Sequence, residues 1–99
     1  KPEIHGRPIK VCEMLSVLDG PTFIERASLH DVKNIKNAKR AIKKGFQIQM
    51  AGKGFSLIEL LSTCPTNWGM SPEEAMKRVQ EEMIPVYPLG NFKGKDLEV

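Results

Sequence analysis

"FSLIELLSTCPTNWGM" occupies Phe55–Met70. Its first eight residues, "FSLIELLS", are nearly all apolar, and the run is too short to cross a bilayer. Such a run predicts a strand covered on both faces, as in a parallel sheet. It ends at Ser62, Thr63 and Cys64, and Pro65 follows. Proline keeps the residue before it out of the helical region, so Cys64 is expected on a turn.

Parallel strands need a long crossover, and the preceding residues supply one. "HDVKNIKNAKRAIKKGFQIQMAGKG" reads as a helix from Asp31 to Met50. Asp31 suits its N-cap, and Gly52 and Gly54 suit its end. Val32, Ile35, Ala38, Ile42, Phe46 and Met50 form one expected apolar stripe. Lys33, Lys36, Arg40, Lys43 and Lys44 lie on the other side. Before this helix, "PTFIERAS" favours a strand, although Glu25 and Arg26 interrupt its apolar run. Strand, helix and strand make a βαβ unit with an expected right-handed crossover.

Two helices flank the unit. "RPIKVCEMLSVLDG" places Val11, Met14, Leu15 and Leu18 at helical spacing, and Gly20 and Pro21 stop it. "SPEEAMKRVQEEMIP" has a capping box in Ser71 and Glu74, with Pro72 at the first helical position. Met76, Val79 and Met83 are expected to face inward, and Pro85 ends the helix. Residues 86–99, "VYPLGNFKGKDLEV", read as a loop or extended tail. The fold class is α/β, with a partial parallel sheet in the order α-β-α-β-α, and residues 1–99 form a single segment. A pair of parallel strands leaves both edges unpaired. The segment is therefore expected to complete a larger sheet, and to self-associate or be marginally stable when isolated.

Composition narrows the class. The chain has 99 residues, 40% of them hydrophobic, with a net charge of +3. That is too apolar for disorder. No stretch is long enough for a membrane span, and "KPEIHGRPIK" lacks the apolar centre of a signal peptide. A cytoplasmic location and reduced thiols at Cys12 and Cys64 are expected. Six of the fifteen Lys and Arg residues fall between Lys33 and Lys44. Such a run is either a solvated helix face or a grip for phosphates or an acidic partner. No aromatic residue interleaves with it, which argues against single-stranded nucleic acid.

Ligands of open α/β sheets sit beyond the carboxyl ends of the strands. Here those ends are "SLHD", Ser28–Asp31, and "STCPTNWGM", Ser62–Met70. Cys64, Asn67, Trp68 and His30 are the candidates there, and the helix N-termini near Asp31 and Ser71 favour negative charge. Cys64 is either an inert small apolar residue or a soft metal ligand. His30 is either a turn residue or a base or ligand, and Trp68 either packs or stacks on a ring. His5 lies in a Pro- and Gly-containing lead and says little. There is no C-x-x-C, no Walker loop, no G-x-S-x-G and no G-x-G-x-x-G, so no complete active site is visible.

"GFSLIELLSTCPTNWGMSPEEAMKRVQEEMIPVYPLGNFK" resembles the C-terminal part of the β subunit of thiamine diphosphate-dependent 2-oxoacid:ferredoxin oxidoreductases. "RPIKVCEMLSVLDGPTFIERASLHDVKNIKNAKRAIKKGF" is similar to the segment before it. "STCPTNWGM" is the most specific stretch, and is nearer the 2-oxoisovalerate and 2-oxoglutarate branch than the pyruvate branch. The resemblance implies a thiamine diphosphate-binding fold. It implies oxidative decarboxylation of a 2-oxo acid, with coenzyme A taking the acyl group and a 4Fe–4S cluster passing electrons to ferredoxin. It also implies Mg2+ and partner subunits. Three cluster cysteines of such a subunit lie early in its chain, and the fourth matches Cys64. Those early cysteines and the Gly-Asp-Gly…Asn stretch for magnesium and diphosphate are missing here. The segment alone is therefore expected to be inactive and to bind none of these cofactors. The alternatives are a small basic binding module using the helix Asp31–Met50 and a structural domain that only assembles with other subunits.

Overall fold

Pro21–Ser28 forms strand β1, the middle of a three-stranded sheet in the order β2-β1-β3. The computed structural model describes residues 9–62, 69 and 71–98. Helix α1 (Val11–Leu15) precedes β1, and helix α2 (Val32–Met50) links it to β2 (Phe55–Leu61). Helix α3 (Pro72–Arg78) continues into a π-helical turn, Val79–Met83, before β3 (Gly90–Lys93). β1 and β2 run parallel, with Arg26 opposite Glu59 and Ser28 opposite Leu61.

β3 corrects the expected all-parallel sheet and extended tail. It pairs antiparallel with β1, placing Glu25 opposite Asn91 and Arg26 opposite Gly90. Two glycines permit this. Gly90 and Gly94 have φ of +148° and +80°, values that L side chains rarely adopt. A Cβ on Gly94 would lie 2.1 Å from the Thr22 carbonyl oxygen, so β3 ends by passing directly against β1.

The charges that interrupt the apolar run of β1 are inside. Phe23 through Ser28 are all buried, and Arg26 has no exposed surface. Alternation puts Arg26 and Glu25 on opposite faces. On one face, Arg26 Nη2 and Nη1 donate to Glu13 Oε1 and Oε2 at 2.7 and 3.0 Å. Its Nε donates to Glu59 Oε2 at 2.8 Å, and Nη1 also reaches the Pro88 carbonyl at 3.1 Å. The guanidinium lies 5.3 and 5.1 Å from the ring centres of Tyr87 and Phe92. On the other face, Glu25 accepts from Arg40 Nη2 at 2.5 Å and from Asn91 Nδ2 at 3.2 Å.

Both predicted caps form. Asn34 N–H donates to Asp31 Oδ1 at 2.8 Å, and Glu74 N–H donates to Ser71 Oγ at 3.2 Å. The expected helix stripes are rotated. On α2 the buried residues are Ala38, Ala41, Gly45 and Ile48, while Val32, Phe46 and Met50 are exposed. The cause is close approach. A Cβ at Gly45 would lie 2.6 Å from Ile58 Cδ1, so α2 meets β2 along its small residues. α1 ends at Leu15, short of the expected Leu18; Cys12 is buried on it, whereas Met14 on the helix and Leu18 beyond it are exposed. After Ser71, Ala75 and Val79 are fully buried and Met76 keeps 37% of its surface exposed. β2 is an edge strand, and only Leu61 of its seven residues is buried, so the expected cover on both faces is not present among the described residues.

Arg26→Ala is expected to cost about 3 kcal/mol in urea denaturation, the low end for breaking a buried pair, because Glu13 and Glu59 can still reach water. Gly94→Ala is expected to speed hydrogen exchange at the β3 amides while leaving the β1–β2 ladder protected.

Candidate functional site

The parallel pair does bring the two carboxyl ends together. Leu29 N–H donates to the Leu61 carbonyl at 2.9 Å, which carries the pairing one step past Ser28. The turn Ser28–Asp31 therefore lies beside the residues that lead into Thr63. Cys64, Asn67 and Trp68, and His5 at the other end of the chain, fall outside the described residues.

His30 is held on both ring nitrogens. Its backbone N–H donates to Ser28 Oγ at 3.3 Å, and the same hydroxyl lies 2.7 Å from Nδ1. Nε2 lies 3.2 Å from Asp31 Oδ2. Serine, histidine and aspartate in sequence invite a nucleophile reading. Burial answers it, since Ser28 has no exposed surface for a substrate to reach. The trio clamps the turn and fixes Asp31 at the head of α2. Bonds from the Asn34 backbone and side chain hold the Asp31 carboxyl below its usual range.

The other strongly perturbed groups surround Arg26. Burial, then the hydrogen bond to Glu59, pushes the Cys12 thiol up to about 12. Its Sγ donates to Glu59 Oε2 at 3.1 Å. Cys12 is thus a proton donor at neutral pH, whereas metal ligation needs a thiolate. The hydrogen bond from Arg26 holds the Glu13 carboxyl below its usual range. The hydrogen bonds that Arg26 donates to Glu13 and Glu59 in turn raise its guanidinium, against the effect of burial. Among the described residues, no group of three or more His, Cys, Asp or Glu could hold a metal ion. Nor is any helix among them long and apolar enough to cross a membrane.

Sequence reading missed the group of Cys12, Glu13, Arg26 and Glu59. Its signal was present in Glu25-Arg26 at the centre of an apolar strand. Charges there require partners, and the partners lie 13 and 33 residues from Arg26.

Two curated relatives share the sequence. The ketoisovalerate oxidoreductase subunit VorA of Methanothermobacter marburgensis is 44% identical over 97 residues, covering 98% of this chain and 20% of that subunit. The subunit of the same name from Methanothermobacter thermautotrophicus matches with the same identity and coverage. The chain thus spans about a fifth of the length of the curated relatives it matches. No family model matches it, and no solved structure matches it.

Two pH limits follow from the perturbed groups. Cys12 has a folded pKa near 12 against an ordinary 9.0, so its contribution is complete below pH 9 and is lost as pH rises toward 12. Glu13 is depressed, so its contribution is present above its ordinary value of 4.5 and is lost as pH falls below it. Urea midpoints should therefore fall at both extremes. Cys12→Ser should flatten the alkaline limb, and thiol reagents at pH 8 should modify Cys12 only after unfolding.

Proposed function

We propose that this chain is a segment of a subunit of a 2-oxoacid:ferredoxin oxidoreductase, of the branch that acts on 2-oxoisovalerate. The complete enzyme would decarboxylate a 2-oxo acid oxidatively, transfer the acyl group to coenzyme A, and deliver two electrons singly to ferredoxin. The observation that carries this reading is the 44% identity to VorA along 98% of the chain. A likeness that spans 97 residues is more than a short motif.

The sheet supports the reading as well. β2 has an open edge, and a groove of about 360 Å3 beside it is lined by Ile42, Phe46, Ile58 and Leu60. An exposed apolar groove along an unpaired strand suits a sheet completed by further polypeptide. The relatives are about five times as long, which leaves ample chain to complete it.

Thiamine diphosphate would supply carbanion stabilisation at the 2-oxo carbon, and a 4Fe–4S cluster would relay the electrons. Cys12 is committed as a neutral thiol to Glu59. Cys64 is therefore proposed as this segment's single contribution to a cluster, with the remaining ligands coming from elsewhere in the subunit. The described residues act as a scaffold. The parallel pair and the Ser28–His30–Asp31 clamp set the rim from which the Cys64 stretch departs.

The basic-module reading is not favoured. The relatives that this chain matches along 98% of its length are named as oxidoreductase subunits.

In the complete enzyme, Cys64→Ala should remove the iron of one cluster and collapse electron transfer to ferredoxin, while thiamine diphosphate still binds. Iron analysis, ferredoxin-linked turnover and cofactor titration read the three effects. Unchanged iron content together with unchanged turnover would overturn the assignment of Cys64.

A further inference from the structure

Between α2 and β3 lies a cleft of about 330 Å3, lined by Asn37, Arg40, Lys44, Asn91 and Lys95 around the buried Glu25. Glu25, Arg40 and Lys44 are held in place there by contacts of their side chains. Arg40 Nη2 donates to Glu25 Oε2 at 2.5 Å, and its Nε donates to Asn37 Oδ1 at 3.1 Å. Asn91 Nδ2 donates to the other Glu25 oxygen at 3.2 Å. The one carboxylate lining the cleft is therefore occupied on both oxygens and neutralised by Arg40. Lys44 Nζ donates to the Lys95 carbonyl at 2.7 Å and sits 5.3 Å from the centre of the Phe23 ring.

Three consequences follow. Lys44 and Lys95 have no carboxylate partner among the described residues, so the cleft keeps two uncompensated positive charges. The capacity left on its anchored groups is donor capacity: Arg40 Nη1, the Asn37 amide N–H groups and the Lys44 ammonium. Arg40 and Lys44 are also held by the fold, so a ligand need not order them on arrival. Lys33, Lys36 and Lys43, on the same helix, are exposed and have no such anchors among the described residues.

We propose that this cleft binds a phosphate group, either free or carried by a phosphorylated small molecule. A phosphate presents several strong acceptors and one to two negative charges, which matches a cleft of fixed donors and unpaired cations. This assignment is independent of the oxidoreductase reading, since it uses neither the rim nor Cys64.

The test is amine acetylation of the intact protein, read by peptide mass spectrometry. Inorganic phosphate, pyrophosphate and a nucleoside diphosphate are titrated separately, with sodium chloride at matched ionic strength as the control. Labelling of Lys44 and Lys95 should fall several-fold and saturably with pyrophosphate, while Lys33, Lys36 and Lys43 stay unchanged. Lys44→Gln should raise the pyrophosphate needed for half-protection of Lys95 by about tenfold, the effect of losing one charge-assisted hydrogen bond. A nucleoside diphosphate acting at lower concentration than pyrophosphate would identify a larger phosphorylated ligand. Equal concentrations would identify the phosphate group alone. Uniform protection of all lysines, equal protection by chloride, or an unchanged titration in Lys44→Gln would each overturn the proposal.

Discussion

A guanidinium with no contact with solvent sits at the centre of this sheet, and the arrangement of the chain follows from its need for partners. Arg26 donates a bidentate pair of bonds to Glu13 on α1, a single bond to Glu59 on β2, and one to the Pro88 carbonyl before β3. These groups come from three separate parts of the sequence. Each therefore locates its own element relative to β1. A buried charge adds little net stability over an apolar residue of the same size, but an unmatched one is strongly unfavourable. Its effect is to select one arrangement: any other register of β2 or β3 leaves Arg26 or its carboxylates unpaired.

The opposite face repeats the device more lightly. Glu25 ties α2 to β3 through Arg40 and Asn91. β1 is thus pinned on both faces by adjacent residues of opposite charge, and both pins reach the region beyond Met83. That explains how a tail rich in proline and glycine joins the sheet. Its backbone bonds are few, since β3 has only four residues, and side chains from β1 complete the attachment.

Elements with a local signal were legible in the sequence. Asp31 and Ser71 cap their helices through side-chain geometry that involves neighbours three residues away. The β1–α2–β2 order and the parallel pairing were legible for the same reason, because a long amphipathic crossover leaves few ways to return to the sheet. The buried face of α2 was not. Ile42 and Phe46 are the more apolar residues, yet Ala38, Ala41 and Gly45 face the strands, since small side chains let the helix axis approach. Hydrophobicity ranked the positions by transfer energy, and packing ranked them by size. At the candidate site, the position of His30 at the strand end was readable. Its engagement by Ser28 and Asp31 was not, because that depends on how a four-residue turn closes.

By itself the sequence determined the types of elements, their order and their caps, because propensity, periodicity and capping act over one or two helical turns. Only the tertiary structure decided that β3 joins the sheet, that Glu13 and Glu59 converge on Arg26, and that Cys12 becomes a buried donor. Those outcomes depend on pairing between residues up to 66 positions apart, such as Asn91 with Glu25. A buried charge in the sequence announces that partners must exist, and only the folded chain shows which distant groups reach it.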